Sequence, residues 1–296
     1  MTYKNILIAI DFSDSSIRAA KWASVFFAPK ADFNLVHVVD PPDKPAFGRD
    51  LVPAADVVEA EAREYGATHL REVATVLMPA RPRCEIRVGR PHEVITKLAA
   101  DIGADLIVIG PHGHRPRPRQ FLGTTAERVV RTSQVPVLVG TNPPAGRPQH
   151  LLVPVDDSSI TPKLLASARD LAEEFDADVT LLHVWSNAAY SHVASMSYAA
   201  NANEVDARND ISKELRDAGL QWLNEMARTG IDRDRVNAVV TYGKPGDAVL
   251  QSAASTRADM IVLGKRGTGL IAPAFLGSTV NTVLHGSTCP VLVVTD

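Results

Sequence analysis

With 296 residues, the chain is long enough for two domains of roughly 150 residues, each with its own core. Lys plus Arg number 31 against 34 for Asp plus Glu; the net charge of −3 argues against whole-protein attraction to nucleic acid or to an anionic membrane. Two cysteines, Cys84 and Cys289, exclude a disulfide framework and a four-thiolate zinc site, and no apolar run near Met1–Asp11 resembles a leader, so a cytoplasmic protein is expected.

Taken in chain order, short apolar runs alternate with helical patterns. Strands are predicted at Asn5–Ile10, Phe33–Val39, Cys84–Val88, Asp105–Ile109 and Val135–Val139, with helices near Ser13–Ala28, Val57–Leu77, Pro91–Ile102 and Thr124–Arg131. The strands are nearly continuous in Val, Ile and Leu, as expected where both faces are covered. A Pro/Gly-rich stretch, Thr141–Pro148, follows. The same order then returns, with strands at His150–Val155, Val179–Val184, Arg235–Thr241, Met260–Leu263 and Val291–Val294. Crossovers of this length imply right-handed βαβ units and a parallel sheet, so each half is read as a five-stranded α/β domain.

The halves are copies. Ala104–Gly110 (ADLIVIG) reappears as Ala258–Gly264 (ADMIVLG), Phe121-Leu122-Gly123 as Phe275-Leu276-Gly277, and Pro136–Val139 as Pro290–Val293, all at an offset of 154. Asp11 matches Asp156 at offset 145, so about eight residues are inserted between Val184 and Gly243. We place the domains at 1–145 and 146–296. Their charges are +2 (18 basic, 16 acidic) and −5 (13 basic, 18 acidic), so their surfaces have diverged.

After the fourth strand, Gly110 and Gly113 are followed by nine residues and then Gly123-Thr124. The second copy has Gly264, Gly267, nine residues and Gly277-Ser278. Both spacings survive although the spacers differ completely. Such a loop suits an anion cradle: glycines permit positive φ and close backbone approach, and a helix N-terminus offers unpaired N–H groups to phosphate. The plainer alternative is that the glycines only turn the chain while Thr124 and Ser278 cap helices. Asp11 and Asp156 end the first strand of each copy. If first and fourth strands flank the topological switch point, each carboxylate lies beside the loop, where it suits ribose hydroxyls. Capping the next helix is the competing role, one that Ser13 and Ser158 could take instead.

These residues resemble the universal stress protein family, whose nucleotide-binding pattern G-x2-G-x9-G-[ST] is met in full by both loops. The resemblance implies two tandem doubly wound, five-stranded parallel sheets ordered 3-2-1-4-5, Rossmann-like in the manner of the adenine nucleotide alpha hydrolases. It further implies ATP in the crevice, with Asp11 and Asp156 on the ribose and backbone at Val38 and Val184 recognising adenine. Carried over residue by residue, the candidate set also includes Ala9, His112, Arg115 and Thr125 in the first copy, and Pro154, Arg266 and Thr279 in the second. The copies are expected to pack as an internal pseudo-dimer through Val135–Val139 and Val291–Val294, with a homodimer beyond that.

Arg115, Arg117 and Arg119 could clasp phosphates or form a stiff, solvated Arg/Pro loop; the clasp would make the first site the stronger candidate for a triphosphate. Lys265 and Arg266 could serve the second, where Asp157 adds negative charge. Gly267–Ala272 fits a loose dinucleotide fingerprint but leaves no room for the next strand, and a P-loop motif is absent. His112 and His114 read as loop residues, His37 and His183 as structural, and both cysteines as buried thiols. Ser186–Asp210 reads as a loop: a flap, a partner-docking segment or neither. The expected function is an ATP-binding stress-response regulator acting through conformation or a downstream protein partner. No general base faces a nucleophile, so weak ATPase activity is the most expected, and any Mg2+ would be held mainly by phosphates and water. A nucleotide-using hydrolase or adenylyl-transfer enzyme is the alternative.

Overall fold

The computed structural model describes residues 3–27, 31–40, 55–77, 82–113, 122–186, 204–228, 235–267 and 276–295. The first half runs β1 (Asn5–Ala9), α1 (Asp14–Phe27), β2 (Asp32–Val39), α2 (Ala55–Val76), β3 (Arg83–Val88), α3 (Pro91–Asp101), β4 (Leu106–Ile109), α4 (Thr124–Thr132) and β5 (Val137–Val139). The second runs β6 (His150–Pro154), α5 (Thr161–Phe175), β7 (Asp178–Trp185), α6 (Glu204–Ala227), β8 (Val236–Tyr242), α7 (Pro245–Thr256), β9 (Met260–Gly264), α8 (Ser278–Gly286) and β10 (Val291–Val294).

Among the described residues ten strands form one sheet in the order β3-β2-β1-β4-β5-β10-β9-β6-β7-β8. Each half therefore has the 3-2-1-4-5 order, parallel throughout, and the halves join where β5 and β10 pair antiparallel with Leu138 opposite Leu292. Strand alternation sorts the side chains into two layers. Ile6 and Ile8 face the layer that holds α1, α2, α5 and α6, whereas Leu7 and Ala9 face that of α3, α4, α7 and α8. With helices on both faces, the central strands are apolar at nearly every position, which explains their unbroken runs.

The seam is more than a strand pair. Phe175 of α5 packs against Trp22, Phe26 and Phe27 of α1, with ring centroids 5.8–6.4 Å apart. The buried Tyr3 hydroxyl hydrogen-bonds Ser167, and burial pushes its pKa well above the usual phenol range. Thr295 Oγ1 donates to the Gln134 carbonyl at 2.9 Å. Lys265, only 6% exposed, donates from Nζ to the Ser133 carbonyl at the C-terminus of α4, 2.8 Å away.

Part of the sequence repeat is architectural. Asp105 accepts the backbone N–H groups of Lys4 and Asn5 at 2.7 and 3.0 Å, and Asp259 those of Gln149 and His150 at 2.8 and 3.1 Å. Each aspartate thus ties the start of the fourth strand to that of the first. Two expectations need correction. Cys289 is buried, but Cys84 is exposed, because β3 is an edge strand with incomplete cover. Glu204–Asp210 is not loop but the beginning of α6, while 187–203 lie outside the described residues. Among the described residues no helix is long and apolar enough to cross a membrane.

Candidate functional site

The strand order reverses between β1 and β4, and between β6 and β9, and a cavity opens beyond the carboxyl ends of both pairs. The first measures about 410 Å³ and the second about 670 Å³. Ala9, Asp11, Val38, Gly110, His112, Gly113, Gly123, Thr124 and Thr125 line the first. Pro154, Asp156, Val184, Gly264, Arg266, Gly267, Gly277, Ser278 and Thr279 line the second. Arg115, with Arg117 and Arg119, lies outside the described residues.

The aspartates are held by their own turns. Asp11 Oδ1 accepts from Ser13 Oγ at 2.6 Å and from the Ser13 backbone N–H at 3.0 Å. Ser13 Oγ in turn accepts the Ser16 N–H at 3.2 Å, so the serine rather than the aspartate caps α1. In the second copy, Ser158 Oγ donates to Asp156 Oδ1, and Thr161 Oγ1 to the Asp156 carbonyl at 2.6 Å.

The glycines are needed for a reason different from the expected one. None of the six loop glycines has positive φ; Gly123 and Gly277 sit at −66° and −57°. Space decides instead at Gly110, Gly113, Gly264 and Gly267, whereas a Cβ on Gly277 would meet nothing closer than the Lys265 carbonyl oxygen at 3.5 Å. A Cβ on Gly113 would stand 2.7 Å from Asp11 Oδ2, and one on Gly267 2.5 Å from Asp156 Oδ2, so these glycines leave room for the carboxylates. A Cβ on Gly110 would lie 2.8 Å from the Ser16 nitrogen, where the loop crosses the start of α1. Gly123 donates its N–H to the Pro111 carbonyl at 2.7 Å, closing the loop.

Both helices that follow begin at a glycine, and neither Gly123 nor Gly277 offers a side chain to cap the first turn. The N–H groups of Thr124, Thr125 and Ala126, and of Ser278, Thr279 and Val280, lack intrahelical acceptors and belong to residues lining the cavities. With the positive end of the helix dipole, each start favours an anion. His112 adds a buried Nδ1 without a hydrogen-bond partner among the described residues. Lys265, an expected phosphate ligand, points instead across the seam to Ser133. His37 and His183 are structural as expected: Nδ1 meets the Ile10 carbonyl at 2.8 Å and the Val155 carbonyl at 3.1 Å. The reading from sequence missed Asp40, which lines the first cavity, and the larger size of the second, which depends on packing between elements distant in the chain.

Two doubly wound halves of one sheet, each with a carboxylate facing a glycine loop at a helix start, define a tandem α/β protein with a crevice in each half. The Universal stress protein family model matches residues 2–140 and 148–295, and the chain belongs to that family as a tandem pair. A universal stress protein of Mycobacterium tuberculosis is 26% identical, over 97% of this chain and 96% of its own length. Universal stress protein YxiE of Bacillus subtilis is 30% identical over 49% of this chain and 97% of its own length, so it corresponds to one copy. A universal stress protein structure from Archaeoglobus fulgidus, 21% identical, shares the fold with a TM-score of 0.69 over 98% of this chain and 96% of its own.

Proposed function

We propose that both crevices bind an adenine nucleotide, ATP in the first instance, and that the chain is a nucleotide-dependent stress-response regulator. One observation carries this reading: in both copies a helix that starts at a glycine, with no side-chain cap from that residue, opens into the cavity opposite an aspartate that its own serine turn holds in place. The helix amides and the loop take the phosphates, as dipole and unpaired N–H groups favour. Asp11 and Asp156 accept hydrogen bonds from ribose hydroxyls, and backbone at Val38 and Val184 meets the base. A Mg2+ ion would ride on the phosphates and water, as magnesium usually keeps its waters. Among the described residues no group of three or more His, Cys, Asp or Glu is placed to hold one.

Calorimetric titration with ATP and with adenosine tests the reading. Two ATP equivalents are expected for the parent chain and one for Gly123→Val. A Cβ there would lie 3.1 Å from the Pro111 carbonyl and 3.5 Å from His112 Cα, and the valine methyls would close on the phosphate approach. Undiminished ATP stoichiometry in the variant overturns the cradle. Steady multiple turnover of ATP would move the protein to the enzyme class.

A further inference from the structure

We propose that the second crevice carries a side lobe that binds a ring-sized apolar group attached to the ribose of its nucleotide, which the first crevice has no room for. The inference rests on the reading of Asp156 as the ribose residue.

The lobe lies on the other face of the sheet from the glycine loop. Alternation along β7 sends Leu182 and Val184 into the layer of α7 and α8, and His183 and Trp185 toward α5 and α6. The cavity follows both: besides the glycine loop it is lined by Asp157, His183, Trp185, Ala218, Gly219 and Trp222. The walls are aromatic, His183 meeting Trp185 and Trp222 edge-on with centroids 4.9 and 5.0 Å apart. Trp185 Nε1 is buried in this wall without a hydrogen-bond partner among the described residues. Asp157, next to Asp156, stands where ribose and lobe meet.

The first half shows how such a lobe is filled. Gly66 of α2 and Gly219 of α6 are counterparts, since each packs on the corresponding residue of the neighbouring strand, Ile86 or Val240. That register sets Tyr65 against Ala218 and His69 against Trp222, and offset 145 sets Phe12 against Asp157. In the first half Phe12 packs on His37 at 4.4 Å and on His69 at 5.8 Å, and Tyr65 stacks on His69 at 3.8 Å. None of these rings borders the first cavity. In the second half the two counterparts Asp157 and Ala218 bring no ring, and among the described residues the space stays open beside the crevice. Aromatic walls with a carboxylate at the mouth suit a flat ring carrying an N–H donor.

The test titrates ATP and its 2′/3′-O-(N-methylanthraniloyl) ester into a Trp22→Phe chain, which leaves Trp185 and Trp222 as the only tryptophans of the three. The ester is expected to accept energy from them and to bind the second crevice about tenfold more tightly than ATP, as burial of part of a ring provides. Ala218→Tyr, which restores the ring of the first half on an exposed helix position, is expected to abolish that advantage while ATP affinity stays unchanged. Equal affinity for ester and ATP, or an advantage that survives Ala218→Tyr, overturns the lobe and leaves the nucleotide reading intact. Failure of ATP itself to bind overturns both.

Discussion

In the first half the strand-end crevice is walled off on one face by Phe12, His37, Tyr65 and His69; in the second the corresponding face is open between His183, Trp185 and Trp222. Yet the parts that build the crevice agree closely. Both aspartates take a serine hydroxyl on Oδ1, and both imidazoles tie the second strand to the end of the first. Backbone placement has been kept where a shift of one atom would collide, and side chains have changed where only space was at stake. The seam shows the same division. Lys265 crosses it to Ser133, whereas its counterpart, Pro111, has no side-chain donor to return the contact. Two copies of one fold have become unequal without disturbing the sheet they share.

If collisions with backbone are what preserve the loop glycines, corresponding substitutions should differ in cost. An added Cβ at Gly110 would lie 2.8 and 2.9 Å from the nitrogen and Cα of Ser16, atoms that cannot move without shifting α1. At Gly264 the nearest atom is Ile160 Cγ2 at 2.7 Å, a side-chain methyl rather than backbone, with the Arg266 carbonyl oxygen next at 3.3 Å. Gly110→Ala is therefore expected to cost about 2–4 kcal/mol and Gly264→Ala about 1–2 kcal/mol. Urea unfolding midpoints measure both. Equal losses would mean that the two loops are braced alike.

Strand order, the two glycine loops and the paired aspartates were legible because each leaves a local mark: an apolar run, a spacing, a residue ending a strand. Strand limits agree to within two residues; β5 starts late, at Val137, because the Ser133 hydroxyl holds the Val135 N–H at 3.1 Å. What residue type could not convey was geometry set by distant elements. Glycine alone does not distinguish positive φ from a close neighbour, and only the fold shows that Gly113 yields to Asp11. Lys265 looked like a phosphate ligand because the antiparallel pairing that brings residue 133 beside it joins segments far apart in the chain. Cys84 looked buried because it alternates with Ile86 and Val88 on one face of its strand, and alternation reads the same at a sheet edge as in the middle.

A smaller effect separates the two positions that precede the last strands. Burial pushes the Cys289 thiol from 9.0 up to about 11, with the Ser287 hydroxyl opposing in part; its counterpart is Val135. The folded thiol holds its proton where the unfolded one has lost it. This stability is fully present below pH 9 and is lost as pH rises from about 9 to 11. Cys289→Val, which installs the residue of the first half, is expected to remove about 1–3 kcal/mol of that alkaline loss. Tyr3, whose pKa is also raised by burial, remains in both proteins, so the difference between their unfolding curves at pH 8 and pH 11 isolates the thiol. Parallel curves would show that Cys289 reaches solvent.

The finest contrast lies in two threonines at the seam. Thr295 Oγ1 donates to the Gln134 carbonyl at 2.9 Å, whereas its counterpart, Thr141, buries Oγ1 without a partner. Valine has nearly the shape of threonine and removes only the hydroxyl. Thr295→Val gives up a hydrogen bond and leaves a carbonyl poorly served, at a cost of about 1 kcal/mol. Thr141→Val removes a buried hydroxyl that is already unsatisfied, so it should be neutral or stabilising by up to about 1 kcal/mol. Opposite signs at two positions related by the repeat would show that the seam is built from one side, as Lys265 also indicates. If both variants lose equal stability, Thr141 has a partner in solution, and the halves meet more symmetrically than their side chains suggest.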